Sequence, residues 1–136
     1  MRVRDIMSEA VETISPEASV AEASESMLRN QIHHLVVAEG GAIVGVLSRH
    51  DLQRTESATA VRSVMSAPPI TAKPGTTLRQ AANLLRSNHL DCLPIVDERQ
   101  GLVGIVTVSD LLDLIGKGAT REQIDGARHR SWMPGR

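Results

Sequence analysis

A chain of 136 residues, 41% of them hydrophobic, is long enough for one compact domain or for two small halves that share a core. Its net charge of −1 gives no electrostatic basis for binding nucleic acid or a membrane surface, and with no Phe, no Tyr and a single Trp it lacks a platform for stacking bases. The lone Cys92 rules out an intrachain disulfide; residues 1–7 lack the apolar stretch of a signal peptide and no apolar run is long enough to span a bilayer, so a cytoplasmic protein is expected.

Taken in chain order, Val3-Arg4-Asp5-Ile6-Met7-Ser8 opens the chain, followed by Thr13 and Pro16. Val20, Ala23, Ser24 and Met27 then recur at helical spacing, with Ser19 placed to cap the helix. Leu35-Val36-Val37 reads as a short strand, turns through Gly40-Gly41 and returns as the apolar run Ile43 to Leu47, a β-hairpin. Ser48 ends that run and Asp51 follows three residues later, at the start of a second helix. The polar stretch Gln53 to Ala60 is predicted to continue that helix.

Almost all of this returns about 58 positions later, and the repeat is the main organisational fact. Val61-Arg62-Ser63-Val64-Met65-Ser66 repeats the opening, Thr71 and Pro74 follow, and Leu78, Ala81, Ala82 and Leu85 form a second stripe capped by Thr77. Leu93-Pro94-Ile95-Val96 and Leu102 to Val106 form a second hairpin, one residue longer at its tip, and Thr107 and Asp110 repeat Ser48 and Asp51. Gly116-Lys117-Gly118 ends the last helix, Thr120 is placed to cap a short extra turn, and Arg121 to Arg136 is basic and weakly patterned, a solvated tail or one that packs on a partner.

Each copy therefore reads as β-α-β-β-α, an α/β (α+β) unit with an apolar sheet face that it cannot bury alone. Two copies, residues 1–57 and 58–116, are expected to press their sheets together about a pseudo-twofold axis, leaving 117–136 as the tail. Gly45 and Gly104 are expected to permit close backbone packing, and Met7 and Met65 to fill core gaps. Each hydroxyl–Asp pair has two readings that its spacing leaves open. One is a helix cap; the other is a site where a hydroxyl and backbone N–H meet phosphate while the carboxylate takes ribose hydroxyls. His33, His34 and Cys92 do not suggest a metal site, because adjacent residues on a strand point to opposite faces and a metal needs three or four converging ligands. No nucleophile–base–orienter set is visible.

The ordered set Val-x-x-hydrophobic-Met, Thr-x-x-Pro, small-residue helix, Leu-Val/Pro strand and hydrophobic-Val-Gly-x-x-Ser/Thr-x-x-Asp-Leu, present twice between Val3 and Leu112, resembles a tandem pair of cystathionine-β-synthase (CBS) domains, a Bateman module. The resemblance implies two clefts for adenosyl ligands: AMP, ADP, ATP or S-adenosylmethionine. It implies that Thr13-Ile14 and Thr71-Ala72 meet adenine, that the backbone entering the strands at Leu35 and Leu93 lines the base, and that Ser48 with Asp51 and Thr107 with Asp110 take ribose and phosphate. If side chains reach across from the opposite half, the Thr71/Thr107/Asp110 cleft receives His33, His34 and His50, and the Thr13/Ser48/Asp51 cleft receives Asp91. The Asp110 cleft is then the expected nucleotide site, and the Asp51 cleft a weaker or less anion-tolerant one. The function implied is a non-catalytic regulatory sensor, homodimeric and acting on another protein, without nucleic acid or membrane. The alternative is a structural dimerisation module with degenerate clefts.

Overall fold

The computed structural model describes residues 1–125. Five strands and five α-helices are seen among them: β1 (Thr13–Ile14), α1 (Val20–Asn30), β2 (His34–Glu39), β3 (Ala42–Ser48), α2 (Arg49–Leu52), α3 (Leu78–Ser87), β4 (Cys92–Val96), β5 (Leu102–Thr107), α4 (Val108–Gly116) and α5 (Arg121–Asp125). A 3-10 turn opens each copy, Val3–Asp5 in the first and Val61–Ser63 in the second. The predicted α+β architecture is present, and no described helix is long and apolar enough to cross a membrane. Beyond residue 125 the basic tail lies outside the described residues.

The helices begin where the caps predict. Ser19 Oγ accepts from Glu22 N while Glu22 Oε1 accepts from Ser19 N, and Thr77 and Gln80 do the same. These reciprocal bonds satisfy two amides that a helix start otherwise leaves bare. Val20, Ala23 and Met27 of α1 and Leu78, Ala81 and Leu85 of α3 are buried, whereas Ser24 and Ala82 of the predicted stripes face solvent. Thr120 caps α5 by accepting from Gln123 N.

Alternation along the strands builds a layered molecule, helix–sheet–sheet–helix. Leu35, Val37 and Leu47 point toward α1, and Leu93, Ile95 and Val106 toward α3. Val36, Val46, Cys92 and Ile105 meet in a cluster of their own between the two sheets. Both faces of each sheet are thus covered, which explains why the strands read as continuous apolar runs. The side-chain period of two sorts those runs into two cores.

The packed halves do not coincide with the sequence repeats. In the first sheet β1 runs parallel to β2, β2 antiparallel to β3, and β3 bridges to Ser66 of the second repeat. In the second, Ala72 runs parallel to Ile95, β4 is antiparallel to β5, and β5 bridges to Ser8 of the first repeat. Each bridge is a reciprocal pair of bonds, Ser8–Ile105 at 2.9 Å both ways and Ser66–Val46 at 2.9 and 3.1 Å. Val3, fully buried, plugs the core under α3, and Val61, equally buried, plugs the core under α1. Their amides bond Thr76 O and Ala18 O, both at 2.8 Å. Burying such a side chain contributes roughly 1.5–3 kcal/mol, so each arm is anchored by more than its hydrogen bonds.

The predicted helical link is corrected. α2 ends after Leu52, Gln53 is extended, and Arg54 adopts a left-handed φ of 65°. The next four residues, Gln53, Arg54, Thr55 and Glu56, offer nothing apolar to press on a sheet, whereas α4 continues because Leu111 and Leu114 reach the core.

Candidate functional site

Both hydroxyl–Asp pairs are helix caps in the structure. Asp110 Oδ2 accepts from Thr107 N at 2.8 Å, and Thr107 Oγ1 accepts from Asp110 N at 3.1 Å. Ser48 and Asp51 form the same box at 2.8 and 3.3 Å. The cap uses one carboxylate oxygen and leaves Oδ1 of Asp110 without a hydrogen-bond partner among the described residues. It also leaves the Thr107 hydroxyl proton free to donate. Val108 N is taken by Asp91 O at 2.9 Å, so Ser109 N–H is the first-turn amide of α4 with no protein acceptor among the described residues. An acceptor oxygen, a hydroxyl and an N–H therefore converge at one helix start.

What stands opposite this start is decided by the arm exchange. Because Ser8 bridges to Ile105, the segment from Ser8 through Ala10, Val11 and Glu12 lies against the end of β5. The loop that enters β2, from Gln31 to His34, closes the other side. With Ile105, Thr107, Ser109 and Asp110 they enclose a cavity of about 280 Å³. That is near the lower end of the roughly 300–1,000 Å³ typical of small-molecule sites. A larger hollow of about 680 Å³ lies between α1 and α2, lined by Leu28, Met27, Ile32 and Leu52 among others. It holds neither Asp51 nor Asp110, and the convergent polar groups are in the smaller cavity.

The predicted residues are distributed as follows. Thr107, Asp110, His33 and His34 line one cavity. Thr71 and Ala72 do not line it: Ala72 pairs with Ile95 on the far edge of β4 from β5 and is buried in the α3 core. Leu93, with no exposed surface, is also a core side chain. Thr13 and Ile14 pair with Val36 and Val37 on the far edge of β2, and Ile14 packs under α1. The wall facing Thr107 and Asp110 thus comes from the first repeat, not from their own. Ser8, Ala10, Val11, Glu12, Gln31 and Ile32 were missed, because only the exchange of arms brings them there. The spacing of Ser8 before Thr13 within the first copy carries no hint of it. His50, the counterpart of Ser109, stands beside Asp51 on α2 and is not among the residues lining the Asp110 cavity, so two imidazoles face Asp110 rather than three. His33 and His34 line the same cavity, because His33 still belongs to the loop and β2 begins at His34.

Burial holds one of the two imidazoles in the cavity wall toward its neutral form. His34 is half-buried and its pKa is lowered from the ordinary 6.5, first by loss of solvent. The Asp91 carboxylate pulls it up, His33 pushes it down, and Asp110 and Asp51 pull up more weakly, so burial prevails. Cys92, the counterpart of His34, is 2% exposed and its thiol is pushed up to about 12 by burial, then by Asp91 and Asp51. It offers no thiolate at neutral pH.

A duplicated α+β unit, paired sheet to sheet with arms exchanged and a hydroxyl–Asp box at each seam, defines a tandem CBS module. The CBS domain profile matches residues 3–57 and 61–117, and the chain belongs to that family. It is 31% identical over 121 residues to a homoserine O-acetyltransferase of Methanohalophilus mahii, covering 87% of this chain but 25% of that enzyme, so the chain spans about a quarter of that relative's length. It is 33% identical over 115 residues to the CBS domain-containing protein YhcV of Bacillus subtilis, covering 80% of this chain and 81% of that one. The CBS domain pair of protein MJ0100, solved in complex with 5′-methylthioadenosine and S-adenosyl-L-methionine, superimposes with a TM-score of 0.81 at 25% identity over 88% of this chain and 98% of that chain. CBSX2 in complex with AMP gives 0.72 at 26% identity, with coverages of 85% and 96%. The cytosolic domain of the Mg2+ channel MgtE in complex with ATP gives 0.69 at 30%, with coverages of 80% and 46%.

Proposed function

We propose that the chain is a regulatory module that binds an adenosyl ligand (AMP, ADP, ATP or S-adenosylmethionine) and acts on a partner protein through ligand-dependent shape or assembly. The observation that carries this reading is the composite cavity, in which a free Asp110 oxygen, the Thr107 hydroxyl and Ser109 N–H from one repeat face the Ser8–Glu12 and Gln31–His34 backbone of the other. A vicinal diol suits a carboxylate with an open oxygen, and a flat base suits a slot walled by backbone and Val11 or Ile32. A ligand held by both repeats stabilises their docked arrangement, and it shifts any equilibrium in which that arrangement differs. The adenosyl ligands of MJ0100, CBSX2 and MgtE support this choice of chemistry.

A non-catalytic role is supported by the inert Cys92 and by the small share of the acetyltransferase that this chain matches. Homodimerisation belongs to the same reading, supported by Leu28, Leu112 and Ile115, which are 81%, 61% and 58% exposed on helices. So does a cytoplasmic location, supported by a single, buried cysteine. The caps favour a second reading, a structural pairing module, since they give both Asp residues work without any ligand. Thermal melts with AMP, ADP, ATP and S-adenosylmethionine separate the two. A ligand at a hundredfold its Kd stabilises the fold by about 2.7 kcal/mol. A raised midpoint that Asp110→Ala abolishes is expected; no shift with any of the four overturns the sensor.

A further inference from the structure

We infer that the chain pairs head to tail with a second copy of itself, α4 of each molecule seated in the hollow between α1 and α2 of the other. The inference rests on the homodimer reading and gives that dimer its surfaces and its orientation. Four large hydrophobic side chains stand exposed among the described residues, and all four lie on these two features. Val108, Leu112 and Ile115 are spaced i, i+4, i+7 along α4 and form one apolar ridge. Leu28 lines the hollow of about 680 Å³, together with Met27, Ile32 and Leu52. A ridge and a hollow, each apolar and each open to water, are the marks of a contact surface.

Both features arise where the two repeats differ. α2 stops after Leu52 and a hollow remains beside α1, whereas α4 runs on to Gly116. Arg49, Gln53 and Glu56 stand in the first repeat where Val108, Leu112 and Ile115 stand in the second, 59 positions later. The same stretch is polar in one repeat and apolar in the other, so the repeats complement each other instead of duplicating each other. Charge sets the orientation. α4 holds Asp110 and Asp113 and no basic residue, while the hollow is lined by Arg49 and His33 and by no carboxylate. Pairing like ends would bring acidic α4 against its own copy and leave Leu28 and the hollow in water, or bring Arg49 against Arg49. Head to tail, one twofold axis makes the favourable contact twice and closes the assembly. The chain beyond Asp125 is a poorer occupant of the hollow, because it carries Arg128, Arg130 and Arg136 and no Asp or Glu, repeating the charge of Arg49.

Sedimentation of the full chain at micromolar concentration, with cross-linking of cysteine variants, tests this. The native chain is expected to be a dimer. Leu112→Lys and Leu28→Lys are each expected to raise its dissociation constant at least about tenfold. Both side chains are exposed, so each variant is expected to remain folded by circular dichroism. Leu28→Cys and Leu112→Cys, made in separate chains, are then treated with a short bismaleimide, alone and after mixing and exchange. The native Cys92 is buried and stays out of the reaction. A covalent dimer is expected from the mixture and from neither variant alone. Cross-linking of either variant to itself, none in the mixture, or a dimer that Leu28→Lys leaves intact overturns the head-to-tail contact while leaving the homodimer reading standing. A native chain that sediments as a monomer overturns that reading, and the inference with it.

Discussion

Gly45 and Gly104 show how one absent methyl group determines the architecture. A Cβ on Gly45 would lie 2.7 Å from Met65 Sδ and 2.9 Å from Ser66 O, and one on Gly104 would lie 2.6 Å from Met7 Sδ and 3.1 Å from Ser8 O. Both contacts are to the arm arriving from the other repeat. Only a bare backbone lets that arm bridge the strand edge. A methionine can move aside, but a carbonyl in a two-bond bridge cannot without breaking it. Gly45→Ala is therefore expected to destabilise by roughly 1–3 kcal/mol, more than Gly104→Ala, read from urea midpoints of the two variants. His34 and Cys92 make the opposite point, that equivalent positions diverge in chemistry. The half-exposed imidazole borders a cavity, while the closed thiol joins the core between the sheets.

At the level of elements, the two hairpin tips solve one problem in different ways. Gly40 and Gly41 take the left-handed conformation in the first, with φ of 59° and 84°. In the second, Asp97 Oδ1 accepts from Arg99 N and Gly101 N, and Gln100 is left with a φ of 67°. A side chain strains in that region, so Gln100→Gly is expected to raise stability by about 0.5 kcal/mol, measured as a higher denaturation midpoint. The hairpins, the Ser19 and Thr77 caps and the boundaries of α1 and α3 were legible because each is written in local residues. The length of α2 was not, since polar residues are compatible with a helix until the lack of anything to pack on ends it. Thr107 with Asp110 was legible as a pair, from spacing within one turn. Their partners across the cleft were not, because residues 8–12 reach them only through a bridge 97 positions away in sequence, between Ser8 and Ile105. Position-by-position transfer put Thr71 where Val11 and Glu12 stand, for that reason.

For the molecule as a whole, His34 ties stability to acidity. Its folded pKa is below the 6.5 of the unfolded chain, so above that value neither state holds the proton and this residue contributes no pH dependence. As the pH falls through 6.5 the unfolded chain is protonated first, and stability drops until the pH passes the lower folded value, where the loss levels off. Denaturant midpoints from about pH 8 to about pH 5 are expected to decline in the native sequence and to decline less in His34→Gln. A phosphate at the cleft would act against this by drawing the proton on, so a flat profile for both proteins would contradict the seam's electrostatics.

The traded arms carry a wider implication. A single ancestral copy of this unit would have its own plug valine facing away and its own socket empty, and it could be completed only by a sister molecule. With both copies in one chain that loan is internal, a tethered encounter at far higher effective concentration than a bimolecular one. Cutting the gene between the repeats would therefore yield two pieces that each hold the other's missing part, and neither Met1–Ser57 nor Ala58 onward is a natural unit for expression or grafting.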